Sequence, residues 1–360
     1  MTHPLITKNK ADIPKGARLV DAYESALREL FFITHPDQKK GSENALCEEF
    51  CRTASIPDCF IYFPWKHIAV RTVSESYFTQ LRTARNRNCI SEEEQQHFRD
   101  ASIGIAGLSV GSSTLHALVL SGGPKRLKIA DPDILELTNL NRINATLPDL
   151  GKNKCVIAAE HVWELDPFAE IELWEAGITD ATLDRFLSTP RVDIFVDAMD
   201  DIALKIEARK RCKKLGIPVV MATDIGDGIL LDVERYDIDP NYLPFHGNVD
   251  TASIDVKHLT PKDFLPLALS MIGVQNCLER VMESVVQLGK TIASIPQLGT
   301  SSMIAGAATS VAIRMITTGA PIKSGRYRIA LEEILDANFF NEERVRSRAQ
   351  SHEALGKLIH

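Results

Sequence analysis

Six short stretches of this 360-residue chain carry residue types suited to phosphate chemistry. They are the arginines Arg82, Arg85 and Arg87, the turn Gly107-Leu108-Ser109-Val110-Gly111, the acids Asp131 and Asp133, the string Thr138-Asn139-Leu140-Asn141-Arg142, the lysines of Gly151-Lys152-Asn153-Lys154, and the acids of Asp197-Ala198-Met199-Asp200-Asp201. A glycine turn that opens a helix presents backbone N–H groups to a phosphate, and an acid 24 residues after Gly107, Asp131, is spaced to meet ribose hydroxyls. Attack of a carboxylate on the α-phosphate of ATP brings anions together. Arg142 and Lys154 would neutralise that charge, with Asn139 orienting ribose or phosphate oxygens. Hydride transfer needs little added positive charge, so the cations after Asp131 favour ATP over a nicotinamide dinucleotide.

The elements that must position these groups are readable as well. Ser102 to Ala106 is apolar and charge-free, as a strand buried on both faces must be. Leu115, Leu118 and Val119 then recur at helical spacing until Ser121-Gly122-Gly123, and Leu127 to Ala130 is a second strand, giving one βαβ unit. The alternation continues as a helix over 152–165, a strand over 171–176, a helix over 180–187, a strand over 192–196, a helix over 202–216, a strand over 218–223 and a half-exposed strand over 230–237. Acids at a strand's carboxyl end sit beside the nucleotide crevice, so Asp200 suits a Mg²⁺ ion; capping of the next helix by Asp200 or Asp201 is the alternative. Gly107 to Gly111 also fits the G-x-S-x-G elbow of a serine hydrolase, but that reading predicts neither the acid at 131 nor the cations beyond it. Surface salt bridges are the alternative for Lys152 and Arg87.

Composition sets the outer limits. With 44% hydrophobic residues the chain can bury a large core, and a net charge of −7 argues against nucleic acid as a bulk partner. Met1 to Ala17 is polar and holds two prolines, which gives no export signal, and the apolar region 301–320 carries Arg314, which suits a buried helix better than a membrane span. The seven cysteines form no C-x-x-C pair, so a four-cysteine zinc site is not expected and reduced thiols in a cytoplasm are the simplest case.

Outside the nucleotide unit the chain reads differently. Residues up to 83 form a leader with an amphipathic helix over 17–32, a second helix over 43–54, and strands at 60–63 and 68–70 flanking Pro64. Ser91 and Glu94 form a capping box for a helix that feeds the first core strand. From 238 to 295 prolines break the alternation. Cys277 there sits in an apolar helical pattern and reads as a buried thiol, with a thioester-forming thiol as the lesser alternative, and His246 is a looser candidate for proton transfer or substrate contact, a lone histidine being more often structural. A small-residue helix from 296 to 318 suits tight packing or a subunit contact, 325–330 is a last strand, and 338–360 is a charged helical tail. A solvated face is the default for that tail, with membrane-surface or partner contact as the alternative.

Taken in order, the arginine run, the glycine turn, D-x-D, T-N-L-N-R and G-K-x-K resemble the ThiF/HesA superfamily of ATP-dependent adenylating enzymes, related to ubiquitin-activating enzymes. The resemblance covers about 82–237 and, more loosely, 296–330. It implies an α/β fold with a Rossmann-like, mostly parallel sheet, helices on both faces and a small N-terminal α+β accessory domain. The implied divisions are an accessory domain over 1–83, an ATP-binding adenylation core over 84–237, a crossover segment covering the substrate over 238–295, a return to the core over 296–337 and the tail over 338–360. It also implies that Gly107, Ser109, Gly111, Asp131, Asp133, Asn139, Arg142 and Lys154 surround the nucleotide, that Asp200 lies by Mg²⁺, and that Arg85 reaches a neighbouring subunit's site in a homodimer. Arg82 and Arg87 are substitutes for Arg85 in another register. Ser109 and Val110 depart from the usual glycines, and Asp201 replaces the usual Asn. The expected reaction is adenylation of a carboxylate and capture of the acyl adenylate. The missing cysteine-zinc site tilts the reading toward a cyclodehydratase-type branch acting on a small acyl or peptide carboxylate through an oxazolone-type ring. Activation of a small ubiquitin-like or sulfur-carrier protein, and a nucleotide-binding scaffold without turnover, are the alternatives.

Overall fold

A computed structural model of the protein describes residues 3–38 and 44–356. The first part builds a four-stranded sheet from β1 (Leu5–Thr7), β2 (Arg18–Asp21), β3 (Asp58–Phe63) and β4 (Ile68–Val73), in the order β1-β3-β4-β2. Helices α1 (Tyr23–Thr34), α2 (Ala45–Thr53) and α3 (Glu75–Thr83) accompany it. The helix expected from residue 17 starts only at Tyr23. Arg18 to Asp21 are extended because they pair in parallel with Ile68 to Arg71, a tertiary partner that overrides local helical periodicity.

The capping box of α4 (Glu92–Asp100) is formed, with Glu94 N–H donating to Ser91 Oγ at 3.1 Å and Ser91 N–H to Glu94 Oε2 at 2.7 Å. There follow β5 (Ser102–Ala106), α5 (Val110–Leu120), β6 (Arg126–Ala130), α6 (Lys154–Leu165), β7 (Glu170–Trp174), α7 (Asp180–Ser188), β8 (Ile194–Asp197), α8 (Ile202–Leu215), β9 (Val219–Asp224) and β10 (Gly228–Glu234). The chain ends with α9 (Pro261–Ile272), α10 (Glu279–Gln287), α11 (Gly299–Thr317), β11 (Gly325–Ala330), α12 (Glu332–Leu335) and α13 (Glu342–Gly356). Every residue of β5 and β8 is buried, as their charge-poor sequences require.

The main sheet has seven strands in the order β11-β10-β9-β8-β5-β6-β7. Strands β5 to β9 run parallel, whereas β10 and β11 are antiparallel to their neighbours. The order reverses between β5 and β8, so a crevice opens there at the strands' carboxyl ends. β10 was expected to be half-exposed but is buried along its whole length between β9 and β11. Its alternating acids deceive the pattern. Asp232 is held by Arg326 and His246, and Glu234 by Arg209 and the Phe245 N–H, so both tolerate burial.

The small-residue helix α11 packs on α5 so closely that a Cβ on Gly306 would lie 2.5 Å from Ser113 O. The tail helix α13 docks rather than standing free: Leu355 is 1% exposed among Cys277, Met282 and Val285, and Ser347 Oγ donates to Glu279 Oε1 at 2.8 Å. The tail's last residues, 357–360, lie outside the described residues, as do 39–43 of the expected second helix.

Candidate functional site

Gly107 leaves β5 with φ +89° and presses against the end of β8. A Cβ there would lie 2.1 Å from Ala198 O. Only glycine fits such a backbone crossing. The turn is then locked by Asp131, whose Oδ2 accepts the Leu108 N–H at 2.6 Å while Oδ1 accepts the Asp133 N–H at 2.9 Å. Asp131 is 4% exposed; burial pushes its carboxyl up, with those two N–H groups and Lys154 pulling the other way. The outward-facing acid is Asp133, its side chain 65% exposed.

Ser109 stands where a glycine is usual and has a visible task. Its Oγ accepts Arg142 Nε at 3.1 Å, which brings a guanidinium to the mouth of the turn. Thr138 O and Asn141 Oδ1 hold Arg142 Nη1 at 3.1 and 3.0 Å. Asn139 caps a short turn by accepting the Glu136 N–H at 3.1 Å. Lys154 is 8% exposed and lies 2.8 Å from Asp133 Oδ2 and 3.8 Å from Asp131 Oδ1, so its charge is compensated by two acids. Lys152 pairs with Asp149 at 2.9 Å and Glu160 at 3.2 Å, the salt-bridge alternative.

Beyond Gly111 and Val110 a cavity of about 200 Å³ opens at the sheet's carboxyl edge, lined by Val110, Asp200, Lys205, Met221, Asp224 and the C-terminal residues of α9, among others. Asp200 is exposed into this region, whereas Asp201 caps α8 by accepting the Leu204 N–H at 2.9 Å. The capping role that the sequence left open between the two acids thus falls to Asp201. Asp197 is fully buried; desolvation raises its carboxyl, but Lys205 at 3.0 Å and Arg209 at 2.5 Å more than offset that and hold it below the usual range. Arg209, also fully buried, pairs with Glu234 at 3.0 Å and lies over the Phe245 ring at 3.8 Å.

Other expected residues fall elsewhere. Arg82 spends its guanidinium on Val119 O at 2.8 Å and on Asp166, a structural role. Arg85 and Arg87 are exposed, with no ion pair among the described residues. His246 is not among the residues that line this cavity; Tyr242 OH engages its Nδ1 at 2.7 Å and Asp232 its Nε2 at 2.7 Å. Cys277 ends a short turn and is not inside a helix; it is 3% exposed, and burial pushes its thiol up to about 11. Two charged cavity residues were not anticipated. Lys205 sits on a helix that reads as merely charged, and Asp224 ends a strand that by apolar pattern stops at Thr223.

No helix among the described residues is long and apolar enough to cross a membrane. No group of three or more His, Cys, Asp or Glu side chains among them is arranged to hold a metal ion. The sequence pattern of the ThiF family matches residues 83–320, more than half of the chain and all of the site just described. The chain belongs to the ThiF family. An uncharacterized protein of Mycobacterium tuberculosis is 34% identical over 276 residues, covering 76% of this chain and 38% of that protein. The tRNA threonylcarbamoyladenosine dehydratase of Bacillus subtilis is 28% identical over 157 residues, covering 43% of this chain and 60% of that enzyme. This ThiF-family chain thus spans between 38% and 60% of the length of these two curated relatives. Among solved structures, Escherichia coli MccB with ATP aligns over 85% of this chain and 83% of its own, with 15% identity and a TM-score of 0.49.

Proposed function

We propose that this ThiF-family protein adenylates a carboxylate with ATP and that a group within the same substrate then captures the acyl adenylate, closing an oxazolone-type ring. The observation that supports this most is the adjacency of three features: Asp200 lines the cavity, the glycine turn at Gly107 presses on its lining residues Ala198 and Met199, and the guanidinium of Arg142 is held on Ser109, next to the lining residue Val110.

ATP phosphates would meet the first N–H groups of α5 and Arg142. Ribose hydroxyls would bind Asp133, the accessible acid, and in doing so compete with Lys154 for its carboxylate and release the ammonium toward the phosphates. Binding and charge neutralisation together would favour attack of the substrate carboxylate on the α-phosphorus, with pyrophosphate leaving. A Mg²⁺ ion would need a single protein carboxylate plus phosphate oxygens, and Asp200, exposed and not engaged as a cap, fits that donor set; the ion would stabilise charge on the phosphates.

Internal capture is favoured over thioester transfer because Cys277 is buried and its thiol is held protonated. Arg85, exposed and unpaired among the described residues, is the residue we assign to a partner's site in a homodimer. The test is exchange of labelled pyrophosphate into ATP with N-acyl amino acids, with short peptides and with a small carrier protein, followed by mass spectrometry of the acid. Cyclised acid with AMP supports the proposal. A carrier ending in adenylate transfers the reading to carrier activation, and no exchange with any acid leaves a nucleotide-binding scaffold.

A further inference from the structure

Asp224, the last residue of β9, is the anomaly of the cavity. Both carboxylate oxygens are closed to solvent, and neither has a hydrogen-bond partner among the described residues. Its neighbours do not supply one. Ser301, at the start of α11, lies close enough to pull the Asp224 carboxyl down, but its hydroxyl proton is directed to Leu298 O at 2.9 Å. Thr300 gives its own to Asp227 at 2.6 Å. Lys205, the cation that lines the same cavity, is committed to Asp197 at 3.0 Å. Arg142 acts on Asp224 only through its field, and Asp200 is a like charge in the same cavity. An unmade hydrogen bond to a buried charged group costs roughly 1–3 kcal/mol or more, so proteins keep few of them without a use.

The rest of the cavity wall says what is missing. Val110, Met199, Met221, Ala268 and Met271 are apolar, and the carboxylates not held by a cation are Asp200 and Asp224. A pocket whose wall holds an unpaired acceptor calls for a ligand that brings a donor up against that wall. An acyl chain alone brings none, whereas an amide next to the activated carboxyl brings one N–H.

We propose that Asp224 is the catalytic base of the capture step, taking the proton of an amide N–H on the bound acyl adenylate as the amide oxygen attacks the acyl carbon. The inference rests on the adenylation and ring-closure reading given above. The new bond joins the amide oxygen to the acyl carbon. The bond from that carbon to the phosphate oxygen breaks, its electron pair leaves with AMP, and the N–H proton passes to the Asp224 carboxylate. No other reagent is required. Burial pushes the Asp224 carboxyl up to about 6, which leaves it ionised at neutral pH and more basic than an exposed aspartate.

The experiment uses the full chain with ATP, MgCl₂ and a panel of N-acetyl amino acids, comparing the natural protein with Asp224→Asn and Asp224→Ser. Pyrophosphate exchange reads adenylation and shows that each variant is folded; single-turnover AMP release reads capture. The expected result is exchange retained within a few-fold and AMP release slowed by about 10²-fold or more. Its pH profile should rise through about pH 6 in the natural protein and be flat in Asp224→Asn. Equal AMP release in the natural protein and both variants, or an unchanged pH profile, overturns the assignment of Asp224 alone. Absence of exchange in the natural protein overturns the adenylation reading and the inference with it. Loss of exchange together with capture in both variants makes Asp224 part of the binding site and also overturns the base.

Discussion

Arg142 Nε donates to Ser109 Oγ at 3.1 Å, so the guanidinium after the D-x-D segment is tied to the residue at the N-terminal boundary of α5. The cation and the glycine turn are thereby coupled. Arg142→Ala should therefore lower pyrophosphate exchange by about 10²-fold through lost charge stabilisation. The thermal midpoint should change little, because Arg142 is only half-buried. A variant that exchanges normally would remove Arg142 from the chemistry.

Asp200→Asn should separate function from folding. The side chain is exposed and makes no cap, so stability measured by urea denaturation should stay within about 0.5 kcal/mol. ATP turnover should fall at least tenfold, and the Mg²⁺ concentration for half-maximal activity should rise. An unchanged Mg²⁺ dependence would place the ion elsewhere.

Lys154→Met leaves Asp131 with its two backbone donors but no counter-charge. The expected cost is about 2 kcal/mol in denaturant unfolding at pH 8. Without the ammonium the already raised Asp131 carboxyl rises further, so the native state takes up a proton more readily. The loss should accordingly shrink as pH falls toward 5. A pH-independent loss would mean that packing of the lysine stem, and not charge, is at stake.

Gly107→Ala adds a methyl 2.1 Å from a backbone carbonyl at φ +89°. Either the turn or the end of β8 must move, at a cost of roughly 2–3 kcal/mol, and ATP affinity measured by calorimetry should fall with it. Native affinity and stability together would show that the crossing can relax.

Asp224→Asn should stabilise the protein. The carboxyl, 3.8 when exposed, stands near 6 in the fold, so the native state binds its proton more tightly than the unfolded chain does. Stability contributed at low pH is therefore lost as pH rises from about 4 through 6. Removing the charge should raise stability by about 1–2 kcal/mol at pH 8 and by little at pH 4. A destabilised variant at pH 8 would mean that the carboxylate has a partner after all.

The nucleotide half was legible because its signals are local. Gly107 and the Asp131–Asp133 pair act within one βαβ unit, and Ser91 and Glu94 within one helical turn. What escaped depends on pairings across the fold. Leu19 looks helical until its parallel partner Ala69 is known, and β10 looks half-exposed until Arg209 and Arg326 are seen to neutralise Glu234 and Asp232. The partners of His246 could not be read because neither Tyr242 nor Asp232 is marked by spacing. Asp224 was hidden for the opposite reason: its oxygens have no hydrogen-bond partner among the described residues, and a lone polar residue at a strand end is ordinary in sequence.

Ser302 Oγ lies 2.8 Å from Ser113 Oγ and donates to Arg142 O at 3.2 Å, and Asn141 Nδ2 donates to Gln297 O at 2.8 Å. The segment that carries the guanidinium is thus braced by residues translated about 160 positions later. During synthesis the first βαβ unit emerges without that brace, and a nascent chain halted near residue 290 would keep the local ties of Arg142 to Ser109, Thr138 and Asn141 but lack the two contacts that fix its backbone segment from outside. The bracing of that segment is completed late, with Gln297 and the first turn of α11.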